Sequence, residues 1–108
     1  MPYVFMYIKY PLNKSDEVAK IYLESIKDYR SEIKGLAKEI VPNALKVTME
    51  GIEAISVNEV KEGKLEEFTF AQGKAMLAYH AIEGFKYESE IRATVTEALE
   101  LVGLKMPE

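Results

Sequence analysis

The chain has 108 residues, is 48% hydrophobic and contains no cysteine, which is enough to bury one core in one domain and excludes disulfides, thiolate metal sites and thiol nucleophiles. Its 18 acidic and 14 basic residues leave a formal charge of −4 with the lysines dispersed, which disfavours binding to a phosphate backbone. The opening residues carry no basic leader, and their apolar run falls well short of the roughly 18 residues a spanning helix needs, so the expectation is a soluble cytoplasmic protein that engages neither nucleic acid nor membrane.

In chain order, Tyr3, Phe5, Tyr7 and Lys9 alternate with Val4, Met6, Ile8 and Tyr10, a strand with two largely apolar faces that must be covered twice. Pro11 closes it. Asn13 or Ser15, followed by Asp16 and Glu17, offers a helix N-cap with acidic residues at the positive end of the dipole. Val18, Ile21, Tyr22, Ile26, Tyr29 and Ile33, with Leu36 at the end, then recur at helical spacing. This first helix either ends on Gly35 as a cap or runs on to Val41, ahead of Pro42.

Leu45, Val47 and Met49 alternate with Lys46 and Thr48, and Glu50-Gly51 makes a turn into Ile52 to Val60, which predicts a central hairpin. A helical reading of residues 42–50 also fits, because proline is tolerated in a first helical turn. Leu65, Phe68, Gln72, Ala75, Tyr79 and Ile82 mark a second helix ending before Glu83-Gly84. From Phe85 to Val95 apolar residues alternate with Lys86, Glu88, Glu90, Arg92 and Thr94, a strand with one charged face. Thr94 and Glu97 have capping-box spacing and open a short C-terminal helix.

The order strand, helix, strand, strand, helix, strand is the ferredoxin-like split pattern, an α+β βαββαβ domain over residues 1–108 with an antiparallel sheet and both long helices on one face. The opposite face of the first strand, with Tyr3 and Tyr7 flanking Phe5, then needs a partner, and the inference is that two subunits join sheet to sheet. On this order of elements from Tyr3 to Val95, its length and its doubly apolar first strand, the chain resembles the dimeric alpha-beta barrel superfamily. That superfamily includes antibiotic-biosynthesis-type monooxygenases, stress-responsive alpha-beta barrel proteins and small isomerases. The resemblance implies a homodimer whose two sheets form a barrel, with a ligand pocket in each subunit between the open sheet face and the helices.

His80 is the sole histidine, the one side chain whose ordinary titration lies near neutral pH, and so the candidate acid, base or haem ligand. Haem-degrading members of the superfamily place a histidine on the corresponding helix, with an asparagine on strand one and a tryptophan on helix two; here strand one has no Asn and the chain no Trp. Glu88, Glu90 and Arg92 share the charged face of the last strand, within reach of Lys9, and could orient a polar ligand or form a solvated edge. Tyr3 and Tyr7 are candidate ligand contacts because a phenol joins an apolar body to a polar tip. No metal-spaced cluster, phosphate loop or nucleophile triad is present, so neither a metal nor a cofactor is expected.

Three functions follow. The first is a homodimer binding a small apolar or amphipathic molecule; the second is a cofactor-independent monooxygenase or isomerase using His80 with Tyr3, Tyr7 or a buried glutamate. The third is an oligomerisation module larger than a dimer, suggested by Phe70, Gly73, Leu77 and Ala81 along the back of the second helix.

Overall fold

The computed structural model describes residues 1–107, and its elements run β1 Tyr3–Tyr10, α1 Ser15–Leu36, β2 Ala37–Thr48, β3 Gly51–Val60, α2 Leu65–Met76, β4 Lys86–Arg92 and α3 Val95–Leu101. The strands form one antiparallel sheet in the order β2-β3-β1-β4, the arrangement of a ferredoxin-like domain. Buried Val4, Met6 and Tyr10 of β1 pack under α1 and α2, while Tyr3, Phe5, Tyr7 and Lys9 lie half-buried on the other face. The two-faced reading of this strand therefore describes the observed sheet.

Cross-strand register assigns the rest of the sheet to its two faces, since directly paired residues share a side. Val57 and Ile55 of β3, Val41 and Ala44 of β2, and Glu88, Glu90 and Arg92 of β4 join the open face with Tyr3, Phe5 and Tyr7. Ile52, Ala54, Ser56, Asn58 and Val60 face the helices.

Several boundaries differ from the sequence expectation. Neither Asn13 nor Ser15 caps α1: a 3-10 turn at Leu12–Lys14 leads into the helix, and the Ser15 hydroxyl donates to the Leu12 carbonyl, 2.7 Å away, within that turn. The helix does not stop on Gly35 or reach Val41, because Leu36 and Ala37 are drawn into the core and the chain turns extended at Ala37 with no intervening loop. Residues 42–48 are strand, with Pro42 tolerated because β2 is an edge and its register shifts on either side of Val41. α2 ends at Met76, a 3-10 turn over Leu77–Tyr79 taking the place of the expected helix to Ile82. β4 is confined to Lys86–Arg92.

The C-terminal helix opens as expected. Thr94 Oγ1 accepts from the Glu97 amide at 3.1 Å and the Thr94 amide donates to the Glu97 carboxylate at 2.8 Å, a closed capping box. The same carboxylate accepts from the Met1 ammonium at 2.7 Å, tying α3 to the start of β1. This α3 does not cover the outer line on α2: Phe70 is 70% and Leu77 60% exposed, and the Lys74 ammonium lies 5.3 Å from the Phe70 ring centroid. No helix among the described residues is long and apolar enough to cross a membrane.

Candidate functional site

The buried core is divided. One cluster gathers Val4, Leu36, Ala37, Val60, Phe68 and Ala71; the other gathers Met6, Tyr10, Val18, Met76, Tyr79 and Ile82. Along the helix-facing side of β3, Val60 belongs to the first cluster and Ile52 packs on the second, while the residues between them include Ser56 and Asn58. A strand position facing a core is ordinarily apolar. Here two consecutive inward positions are polar, and the space above them is open.

That space is a cleft between the helices and the sheet. One part of it, about 140 Å³, is lined by Ser56 and Asn58 of β3, by Met6 and Met76, and by Tyr29 and Gln72 on the helical wall. A second part of about 350 Å³ adjoins it beside Tyr10, Leu45 and Phe85. Ile8, Tyr22, Pro42, Asn43 and Tyr79 line both parts. Pro42 and Asn43 reach this position because the register of β2 slips between Val41 and Ala44, opposite Ser56, a local irregularity of the kind that re-aims side chains beside binding sites. The middle of α1 is correspondingly only half-buried at Ile26 and Tyr29, since it faces the cleft rather than a packed core.

The polar groups of the cleft are mostly neutral. Arg30 and Glu39 are its charged contributors, Arg30 being exposed and Glu39 half-buried opposite Asn58 in the β2–β3 ladder. Asn58 is 8% exposed, and its Oδ1 has no hydrogen-bond partner among the described residues. A buried acceptor of this kind is ordinarily paired, with protein or with an ordered water. Burial raises the pKa of the Tyr79 phenol, the Ser25 hydroxyl opposing that shift, and raises that of Tyr10. Phe85 stacks on both rings, 4.7 Å from Tyr79 and 6.0 Å from Tyr10, and the three line the larger part of the cleft together.

The residues singled out from sequence lie elsewhere. Tyr3, Tyr7, Glu88, Glu90 and Arg92 are together on the open face, where Phe5 stacks with Tyr7 at 6.2 Å and the Arg92 guanidinium sits 5.2 Å from the Phe5 ring centroid. Arg92 is bound to Glu90 two residues away on its own strand. Lys9 does not pair with Glu88 or Glu90, because Lys86 is opposite it on β4; its ammonium instead meets Glu50 at 2.7 Å, which holds the Glu50 carboxyl below and the Lys9 ammonium above the usual range. An open trough of about 700 Å³ crosses this face beside Tyr7, Ala44, Ile55 and Glu88.

His80 is separate from both. It follows the 3-10 turn after α2 and is exposed, its Nε2 2.6 Å from the Tyr87 hydroxyl and its ring 5.6 Å from that of Tyr87. Neither residue lines the cleft. Among the described residues no cluster of three or more His, Cys, Asp or Glu side chains is placed to hold a metal ion.

No protein-family model matches the sequence, and no curated protein matches it. Among solved structures, the fold is similar to the crystal structure of a dimeric ferredoxin-like protein from an uncultured marine organism, with a TM-score of 0.62 over 89% of this chain and 96% of that one. The two sequences are 14% identical, so the likeness establishes the fold.

Proposed function

We propose that the protein is a homodimer, joined through its open sheet faces, in which each subunit binds a small apolar or amphipathic molecule in the cleft between the helices and the sheet. The observation that carries this reading is the divided core: between its two clusters lies an open cleft in which apolar walls meet two buried polar side chains, Ser56 and Asn58, the make-up of a ligand site. The cleft has the usual composition of a ligand site, mostly apolar with a few polar groups to fix orientation.

The open face supplies the seam. Tyr3, Phe5 and Tyr7 beside Val57 and Ile55 make an apolar band, with Lys9, Lys46, Lys86 and Glu53 across one end. In this assignment Tyr3, Tyr7, Glu88, Glu90 and Arg92 serve the contact between subunits rather than the ligand. Because the His80–Tyr87 pair stands outside the cleft, it supplies no acid–base group to a molecule bound there.

The test is a chemical-shift titration of isotope-labelled protein with a set of ring-sized and short amphipathic fragments. Shifts clustered at Tyr22, Ser56, Asn58 and Tyr79 are expected. Shifts confined to Tyr3, Tyr7, Glu88 and Arg92, or none at any concentration, would remove the cleft from its role.

A further inference from the structure

Resting on the cleft reading, we infer that the cleft takes an elongated amphiphile in one direction, with an uncharged polar head near Arg30 and Glu39 and an apolar chain running toward Leu45 and Phe85. Shape comes first. The two parts of the cleft share Ile8, Tyr22, Pro42, Asn43 and Tyr79, so they form one continuous groove. α1 lines it from Val18 to Ile33, a length of about 22 Å at 1.5 Å per residue. A long open groove of this kind accommodates a chain along its length.

Polarity changes from one end to the other. The charged residues of the cleft, Arg30 and Glu39, belong to the part beside Ile33, together with the Gln72 amide and the Tyr29 phenol. The part beside Val18 has no charged side chain and adds Tyr10, Ala19, Leu45, Ala54 and Phe85 to its lining. Past that end the apolar surface continues. Leu45 and Val47 take successive helix-facing positions of β2, opposite Ala54 and Ile52, and are 62% and 69% exposed. Apolar side chains in line at the mouth of a groove are a surface that a longer chain can cover.

The head group follows from the charges at the polar end. Neither Arg30 nor Glu39 has an ion-pair partner among the described residues, and the two line the same part of the groove with opposite sign. A carboxylate or an ammonium head gains from one of them what it loses to the other, and gives up hydration as it enters. A hydroxyl or amide head gives up less and still finds donors and acceptors in Asn43 and Gln72.

The experiment titrates butan-1-ol, hexan-1-ol and octan-1-ol into the isotope-labelled intact chain and follows chemical shifts. Affinity should rise roughly two- to fourfold for each added methylene that is covered. The side-chain amides of Asn43 and Gln72 should shift with all three alcohols, and Leu45, Val47 and Phe85 increasingly with the longer ones. At octyl length the alcohol should bind more tightly than octanoate or octylammonium. Arg30→Gln should move the preference toward octylammonium and Glu39→Gln toward octanoate, each by up to about fivefold. If either variant does not fold, the alcohol series on the native chain decides the matter. Affinity that does not grow with chain length, or chain-length-dependent shifts at Gln72 in place of Phe85, would overturn the amphiphile and its direction while leaving the cleft reading standing. Unchanged preferences in both folded variants would overturn the placement of the head. Failure of all three alcohols to perturb any cleft residue would overturn the cleft reading as well.

Discussion

Tyr79 stands where the second core cluster, the cleft and the aromatic stack meet. Its ring packs with Met6 and Met76, stacks on Phe85 and lines both parts of the cleft, so it is buried without being sealed. Burial favours the neutral phenol, so the folded protein holds this proton more tightly than the unfolded chain does. The contribution to stability is complete below the ordinary tyrosine value of about 10 and is lost as pH rises through the raised value. A series of urea denaturations between pH 8 and 11 should show stability falling on the alkaline side, and Tyr79→Phe should make that limb shallower; an unchanged limb would assign the loss to other groups.

At this same scale the site was only half legible. The alternation of Ile52, Ala54, Ser56, Asn58 and Val60 was available in the sequence, and two polar residues in its middle are the signal of a cleft. That signal becomes decisive only when the inward face of β3 is known, and β3 could have been read with either face inward. The His80–Tyr87 contact was illegible for a different reason: it depends on the chain reversing through Gly84, at φ 82°, which brings a turn and a strand together.

Among the elements, the β2–β3 hairpin shapes the molecule most. Thr48 Oγ1 donates to the Gly51 carbonyl at 2.8 Å and accepts from the Glu50 amide at 3.2 Å, closing a tight turn through Met49 and Glu50. Gly51 follows at φ 136°, and a methyl group there would run into the Tyr10 carbonyl oxygen of β1. Gly73, inside α2, has nothing within 4 Å of the position a Cβ would take. Gly51→Ala should therefore cost about 3 kcal/mol, whereas Gly73→Ala should gain about 0.5–1 kcal/mol, as read from denaturation midpoints. Equal effects of the two substitutions would contradict the register of the hairpin against β1.

Element order and the capping box at Thr94 were legible because each rests on local chemistry: a period, a turn residue or a side-chain cap. The start of β2 was not. α1 passes into it without a loop, and the register shifts between Glu39 and Val41 and between Val41 and Ala44 break the alternation that announces a strand. Pro42 within that stretch then reads as a terminator, when it occupies an edge where a missing amide donor is harmless.

For the whole molecule, the proposed assignment gives the two faces of the sheet different tasks: the helix side borders an open cleft, and the other side carries an aromatic band that would meet a second copy. The outer line of α2 remains a competing surface, since Phe70 and Leu77 are exposed and Lys74, over the Phe70 ring, also meets Glu32 of α1 at 3.5 Å. Surface charge pairs of this kind contribute little, so they neither require nor exclude a contact there. Nuclear Overhauser contacts between labelled and unlabelled copies in a mixed sample separate the two surfaces directly. A seam through the open sheet face should give contacts between copies from Phe5, Tyr7 and Val57, with none from Tyr22 or Met76. Contacts arising from Phe70 and Leu77 in place of the open face, or a particle that stays at the 12.3 kDa of one chain, would contradict it.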